Sequence, residues 1–139
     1  MTRKISFLTI VGDTAYFFCK GINYLLPITV TANCISNIIS SQNFTVPRMH
    51  NTFIRTLNAF GTKISSISLY QYTSNTFLAY IRIKRDRETL DINSSFEDCL
   101  VLAVSNDIKI LIEERILLER GFFVSKEMVE KALIENSPT

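Results

Sequence analysis

The chain has 139 residues, 47% of them hydrophobic and 20% charged, with a formal net charge of +2. That size suits one domain whose core needs no disulfide or metal staple. The charge is too small to argue by itself for a nucleic-acid partner: dedicated modules usually have a pI above ~9, against 8.5 here.

Ile5–Ile10 and Ala15–Cys19 read as two strands around a Gly12-Asp13 turn, a common hairpin signal. The apolar N-terminal stretch faintly resembles a signal peptide, but Asp13 interrupts it and no small-x-small cleavage pattern follows, so a first strand is expected. Tyr24–Val30 reads as a third strand, with Pro27 placing it at an edge or a bulge. Thr31 is suited to cap a helix running to about Gln42, with Ala32, Ile35, Ile38 and Ile39 on its apolar face. A second helix is expected from about Arg48 to Phe60, with the stripe Met49, Phe53, Ile54, Leu57 and Phe60 and a stop at Gly61.

Ile64–Gln71 and Thr76–Lys84 form the next strand pair, joined by Tyr72-Thr73-Ser74-Asn75. Phe77, Ala79, Ile81 and Ile83 alternate with Leu78, Tyr80, Arg82 and Lys84, which predicts one buried face. After a charged turn at Asp86-Arg87, Thr89–Ile92 returns as a strand. Ser95 then caps a helix in a spacing like a capping box, with Asp98 as its partner and Leu100, Ala103 and Val104 buried. Ile108–Ile112 is a short strand, Glu113–Arg120 a short helix ended by Gly121, and Ser125–Ile134 a terminal helix before a fraying Asn136–Thr139. Phe122-Phe123 is assigned to the core. The sum is an α+β fold: a single domain with a mixed, curved β-sheet and helices packed against it. Residues 1–120 form the body, and 121–139 a C-terminal helical extension packed on the same domain.

Cys19, Cys34 and Cys99 stand among apolar neighbours with no ligand spacing, so buried free thiols are expected rather than zinc ligands. A reducing compartment follows. No apolar run approaches the roughly 18 residues of a membrane span, so no membrane partner is expected. Ile, Asn, Ser, Lys, Phe and Tyr abound while Ala, Gly and Pro are scarce, the bias of AT-rich codons in symbiont, parasite and organelle genomes.

His50 is the only histidine. It follows Pro47 in the first turn of a helix, where free backbone N–H groups attract anions. Arg48 lies two residues before it and Arg55 five after, off its helical face. Imidazole, arginine and helix terminus could together hold and polarise a phosphodiester; the plainer reading is that His50 merely flanks the helix. Asp91, Glu97 and Asp98 are the carboxylate candidates. The helix dipole alone favours acids at positions 97 and 98, and that structural role is preferred for Glu97. The functional alternative joins Asp91 and Asp98 around a divalent metal, Mg²⁺ or Mn²⁺ suiting hard oxygen ligands. Lys84-Arg85-Asp86-Arg87 is by default a solvated loop, with a phosphate contact as the alternative. The chain has no P-loop, GxSxG, HExxH or dinucleotide fingerprint.

Several segments together resemble the bifunctional nuclease domain of bacteria, plants and plastids, over about Ile5 to Leu118. Leu26-Pro27-Ile28 matches a Leu-Pro-Ile strand. Val46-Pro47-Arg48-Met49-His50-Asn51, closed by Phe60-Gly61, matches an Arg-Pro-x-x-His-Asp/Asn segment opening a helix. Thr76-Phe77-Leu78-Ala79 matches a Thr-Phe/Tyr-x-Ala strand. Asn93 or Asp91 followed by Ser95-Phe96-Glu97-Asp98-Cys99-Leu100-Val101-Leu102-Ala103 is similar to the signature Asp-Ala-Arg-Pro-Ser-Asp-Ala-Ile-Ala-Leu-Ala. The first segment's arginine is Val46 here, and the signature's Arg-Pro is Ser95-Phe96. Both lost arginines would have been natural phosphate or carboxylate partners.

The resemblance implies a nuclease acting on DNA or RNA with a divalent metal. His50 and Asp98 would be its catalytic residues, Arg48, Asn51 and Arg55 would bind substrate, and Asp91 and Asp98 would hold the metal. The alternative is a module that keeps the fold and binds protein or nucleic acid without cleaving it. A homo-oligomer is expected. The family's distribution and the AT-rich bias point to a plastid-encoded protein, with a bacterial cytoplasm as the other setting.

Overall fold

The computed structural model of the chain describes residues 1–41 and 49–135. Its elements, in chain order, are β1 (Thr2–Val11), β2 (Thr14–Cys19), β3 (Tyr24–Thr29), α1 (Ala32–Ser41), α2 (Met49–Ala59), β4 (Lys63–Thr73), β5 (Thr76–Arg85), β6 (Glu88–Ser94), α3 (Phe96–Asn106), β7 (Ile110–Glu113), α4 (Glu114–Arg120), β8 (Phe122–Phe123) and α5 (Lys126–Glu135). The fold is α+β, as the sequence led one to expect.

Local chemistry accounts for the hairpins. Gly12 at φ +64° closes β1–β2 between the paired Val11 and Thr14. Ser74 and Asn75, both at positive φ, close β4–β5 between Thr73 and Thr76. Two central residues at positive φ match the right-handed twist of the flanking strands, and Asn tolerates that conformation. At the end of α2, Gly61 at φ +70° lets Thr62 N–H reach Leu57 O and Gly61 N–H reach Asn58 O, each at 3.0 Å. These two bonds make a Schellman stop.

Long-range order is a matter of pairing. Among the described residues the sheet runs β6-β5-β4-β7-β1-β2-β3-β8. It is antiparallel except where β7 lies parallel to β4. That parallel insertion requires a crossover, which α3 supplies. Register shifts at Phe7/Thr9, Ile64/Ser66 and Leu69/Gln71 mark bulges that curve the sheet. β8 covers only Tyr24 and Leu25 of β3, so Pro27 sits where no strand lies beyond it, as its missing N–H demands.

One sheet face carries the core: Ile5, Phe17, Leu26, Ile67, Leu69, Ile81 and Ile112 are buried on it. α3 lies on this face and is buried nearly all round, from Phe96 and Cys99 to Ala103. Phe96 meets Phe77 with ring centroids 5.3 Å apart. The alternation expected along β5 is present, with Phe77, Ala79 and Ile81 buried.

Three apolar assignments are corrected. Ile39 is 55% exposed; α1 buries Ile38 as expected and Cys34 in addition. Phe60 is 69% exposed, because α2 ends at Ala59 and the chain turns away at Gly61. Phe122 and Phe123 are 48% and 65% exposed at the outer edge of the sheet rather than in its core. A helical or strand period assigns residues to faces, but which face is covered depends on neighbours distant in sequence. Gln42 and the segment 136–139 lie outside the described residues.

Gly121 ends α4 for a reason unrelated to positive φ. A Cβ there would stand 2.8 Å from both Leu117 O and Leu25 O. Gly121→Ala is therefore expected to push α4 away from β3 and cost about 1–3 kcal/mol, the usual penalty for overpacking. Urea unfolding checks this through a lowered midpoint.

Candidate functional site

The starts of three helices carry the candidate residues. α3 begins at its N-cap Ser95, whose extended backbone (φ −61°, ψ 141°) hands the chain from β6 into the helix. Ser95 Oγ accepts from Asp98 N–H at 3.3 Å and donates to Asp98 Oδ2 at 2.7 Å. The expected capping partnership thus exists, with the serine hydroxyl itself donating to the carboxylate. α1 begins after Thr31, whose Oγ1 accepts from Cys34 N–H at 3.2 Å.

Glu97 ties these two helix starts together. Its carboxylate accepts from Thr31 N–H at 3.1 Å and from Thr31 Oγ1 at 2.6 Å, across 66 residues of sequence. The structural role preferred for Glu97 is therefore specific: it satisfies a donor at the start of α1 while sitting in the first turn of α3. Nothing local in the sequence announces this contact.

The start of α2 joins through His50. Its Nε2 lies 3.3 Å from Asp98 Oδ1, across 48 residues of sequence. The histidine side chain is 19% exposed and the aspartate 62%. An ionised Asp98 favours the tautomer with hydrogen on Nε2 and leaves the Nδ1 lone pair as the basic site. The second oxygen of Asp98 stays fixed by Ser95. The resulting arrangement is a histidine oriented by a carboxylate that is itself oriented by a hydroxyl.

The other sequence-derived residues fall elsewhere. Asn51 follows His50 in the first turn of α2 and is half-buried. Arg55 is exposed on α2. Val46, Pro47 and Arg48 lie outside the described residues.

Asp91 stands on β6 opposite Arg82. Arg82 Nε and Nη2 donate to its two oxygens at 2.8 and 3.0 Å. That hydrogen bonding holds the Asp91 carboxyl below the usual carboxylate range and the guanidinium above its own. Asp91 and Asp98 thus have different partners. Among the described residues no group of three or more His, Cys, Asp or Glu side chains could hold a metal ion. These residues do not make a ready cage for Mg²⁺ or Mn²⁺, although one carboxylate can suffice where water and substrate phosphate complete the shell.

All three cysteines are buried and free. Burial, followed by the charges of Glu97 and Asp98, pushes the Cys34 thiol up to about 12. Burial pushes Cys99 up to about 11; a Ser94 hydrogen bond opposes this and Asp98 adds to it. Both thiols start from an ordinary value of 9.0. The folded protein keeps these protons where the unfolded chain releases them. Their contribution to stability is thus full below pH 9.0 and is lost as pH rises toward 11–12. Urea midpoints are expected to fall between pH 8 and pH 10, and a thiol reagent at pH 8 should label the native protein slowly and the unfolded chain at once.

No helix among the described residues is long and apolar enough to cross a membrane. No curated protein matches the chain. Residues 20–125 match the bifunctional nuclease domain, a span that takes in α1, α2, α3 and every candidate residue above. With three quarters of its length inside that match, the chain belongs to the bifunctional nuclease domain family.

Proposed function

We propose that the protein cleaves phosphodiester bonds in DNA or RNA, with His50 as general base or acid and Asp98 as the group that orients it. The observation that carries this reading is the His50–Asp98 pair itself, 3.3 Å apart at the adjoining starts of α2 and α3. A histidine so oriented can take a proton from an attacking water through Nδ1 and return it to the leaving oxygen. Backbone N–H groups in the first turn of α2 favour a bound phosphate. Asn51 and Arg55 on α2, with Arg48 just before it, are the proposed substrate contacts. Mg²⁺ or Mn²⁺ is the proposed metal: Asp98 would hold it, with water and substrate phosphate completing its shell, and it would neutralise charge on the phosphate; Asp91 would join only if Arg82 released its carboxylate. No step above depends on the metal.

The test is cleavage of labelled single-stranded DNA and RNA with Mg²⁺, with Mn²⁺ and with EDTA, beside His50→Ala and Asp98→Asn. Cleavage lost in both variants supports the reading. Equal cleavage by wild type and both variants would mark a contaminant and overturn it.

One observation favours a second reading, a binding module without cleavage. Phe96, standing in the signature's Arg-Pro position with Ser95, is packed against Phe77, and the Ser95 hydroxyl is engaged with Asp98. Neither can grip phosphate as an arginine does. Well-folded protein that binds nucleic acid and never cuts it supports this reading. Homo-oligomerisation and a plastid setting complete the proposal, the first supported by the exposed Phe122-Phe123 edge and the second by the AT-rich composition.

A further inference from the structure

The face of β4–β6 opposite the core carries aromatic and cationic side chains that the cleavage site does not use. Tyr70 and Tyr80 lie with ring centroids 5.5 Å apart and planes at 36°. The Arg82 guanidinium stands 5.5 Å from the Tyr80 centroid. Asp91 grips that guanidinium by two oxygens, and Tyr70 OH donates to Asn93 Oδ1 at 3.2 Å. Next along the same face, Lys63 and Lys84 are direct cross-strand partners, and both are exposed.

Like charges directly opposite each other weaken a sheet, so this lysine pair is costly unless something anionic lies across it. The tyrosines and the guanidinium offer flat surfaces with fixed orientation. Asp91 holds the arginine fork in one plane, which suits stacking better than point-charge attraction. Cations beside aromatic planes on an open sheet match one ligand class: unpaired nucleotides, whose phosphates meet lysine and whose bases stack. The order along the strands gives a direction. β6 runs from Glu88 at the lysine end, past Asp91, to Asn93 beside Tyr80. Two residues further on is Ser95, which caps α3 and holds Asp98.

We infer that this face is a docking track for single-stranded RNA or DNA, with Tyr70, Tyr80 and Arg82 stacking bases and Lys63 and Lys84 holding phosphates, feeding the strand around the end of β6 toward His50 and Asp98. The inference rests on the nucleic-acid reading above and deepens it by naming the substrate form and the surface that selects it.

The test is fluorescence anisotropy of a labelled single-stranded oligonucleotide with the full chain in EDTA, which isolates binding from cleavage. Tyr70→Ala with Tyr80→Ala should weaken binding about tenfold or more, as lost base stacking does. Tyr70→Phe with Tyr80→Phe should restore it, since the rings remain, and so separates stacking from misfolding. Lys63→Ala and Lys84→Ala should each reduce the slope of log affinity against log salt by about 0.7. A duplex of the same sequence should bind more weakly than the single strand. Wild-type affinity in the alanine pair, or equal affinity for duplex, overturns the track while leaving the cleavage site standing. Tight binding that depends on the tyrosines, without cleavage by wild type, keeps the track and overturns the nuclease reading. No binding by wild type overturns both.

Discussion

Alanine at position 50 is expected to lower phosphodiester cleavage about 10²- to 10⁴-fold, the usual contribution of a positioned proton-transfer group. The folded state should be little affected, because His50 sits in the first turn of α2 with its ring partly open to solvent and one described polar partner, Asp98. Asp98→Asn should produce a loss in the same range by a different route. The amide is isosteric and can keep a hydrogen bond to Ser95, but it no longer favours the tautomer that leaves Nδ1 basic. Asp98→Ala is a poorer probe, since it also removes the acceptor of the Ser95 hydroxyl and a carboxylate from the first turn of α3, where a negative charge is worth roughly 0.3–1 kcal/mol. If the two residues act as a unit, the His50→Ala, Asp98→Asn double variant should be scarcely slower than either alone. Initial rates on a labelled oligonucleotide decide this, and losses that multiply would mean that the two side chains act separately.

The largest expected effect on stability comes from Phe17→Ala, at about 3–5 kcal/mol. Phe17 is fully buried in the middle of β2. It pairs across the ladder with Phe7 on one side and Leu26 on the other. Its ring meets Phe7 edge-on at 5.7 Å. The site cannot collapse easily, because β1 and β3 hold its two flanks by backbone hydrogen bonds, so most of the removed volume remains as cavity. For a domain whose whole stability is roughly 5–15 kcal/mol, this change approaches unfolding. Equilibrium urea curves should show a large drop in midpoint with an unchanged slope. A change below 1 kcal/mol would mean that Phe17 is not the centre of the core.

Local chemistry decided much of this protein directly from its sequence. Gly12 set one hairpin and the Tyr72–Asn75 connection the other, which the structure narrows to Ser74-Asn75 because few residues tolerate positive φ. The alternation from Phe77 to Ile83 set the buried face of β5, and Ser95 set the start of α3 because its hydroxyl lies within reach of the orphan N–H of Asp98. The segments around His50 and Asp98 carried the family resemblance.

Only the tertiary structure decided which surfaces are covered and which distant side chains meet. Phe60, Phe122 and Phe123 are as apolar as Phe17, yet they lie where no element packs over them. The parallel placement of β7 beside β4 depends on a crossover through α3 that no local pattern specifies. Glu97 reaches Thr31, His50 reaches Asp98, and Asp91 is taken by Arg82 because the sheet order brings α1, α2 and α3 together at one end and sets β5 against β6. Propensity, capping and turn chemistry act over a few residues and are written in the local sequence. Contacts between residues 48 or 66 positions apart exist only after the chain has closed those loops, at an entropic cost that the assembled core offsets.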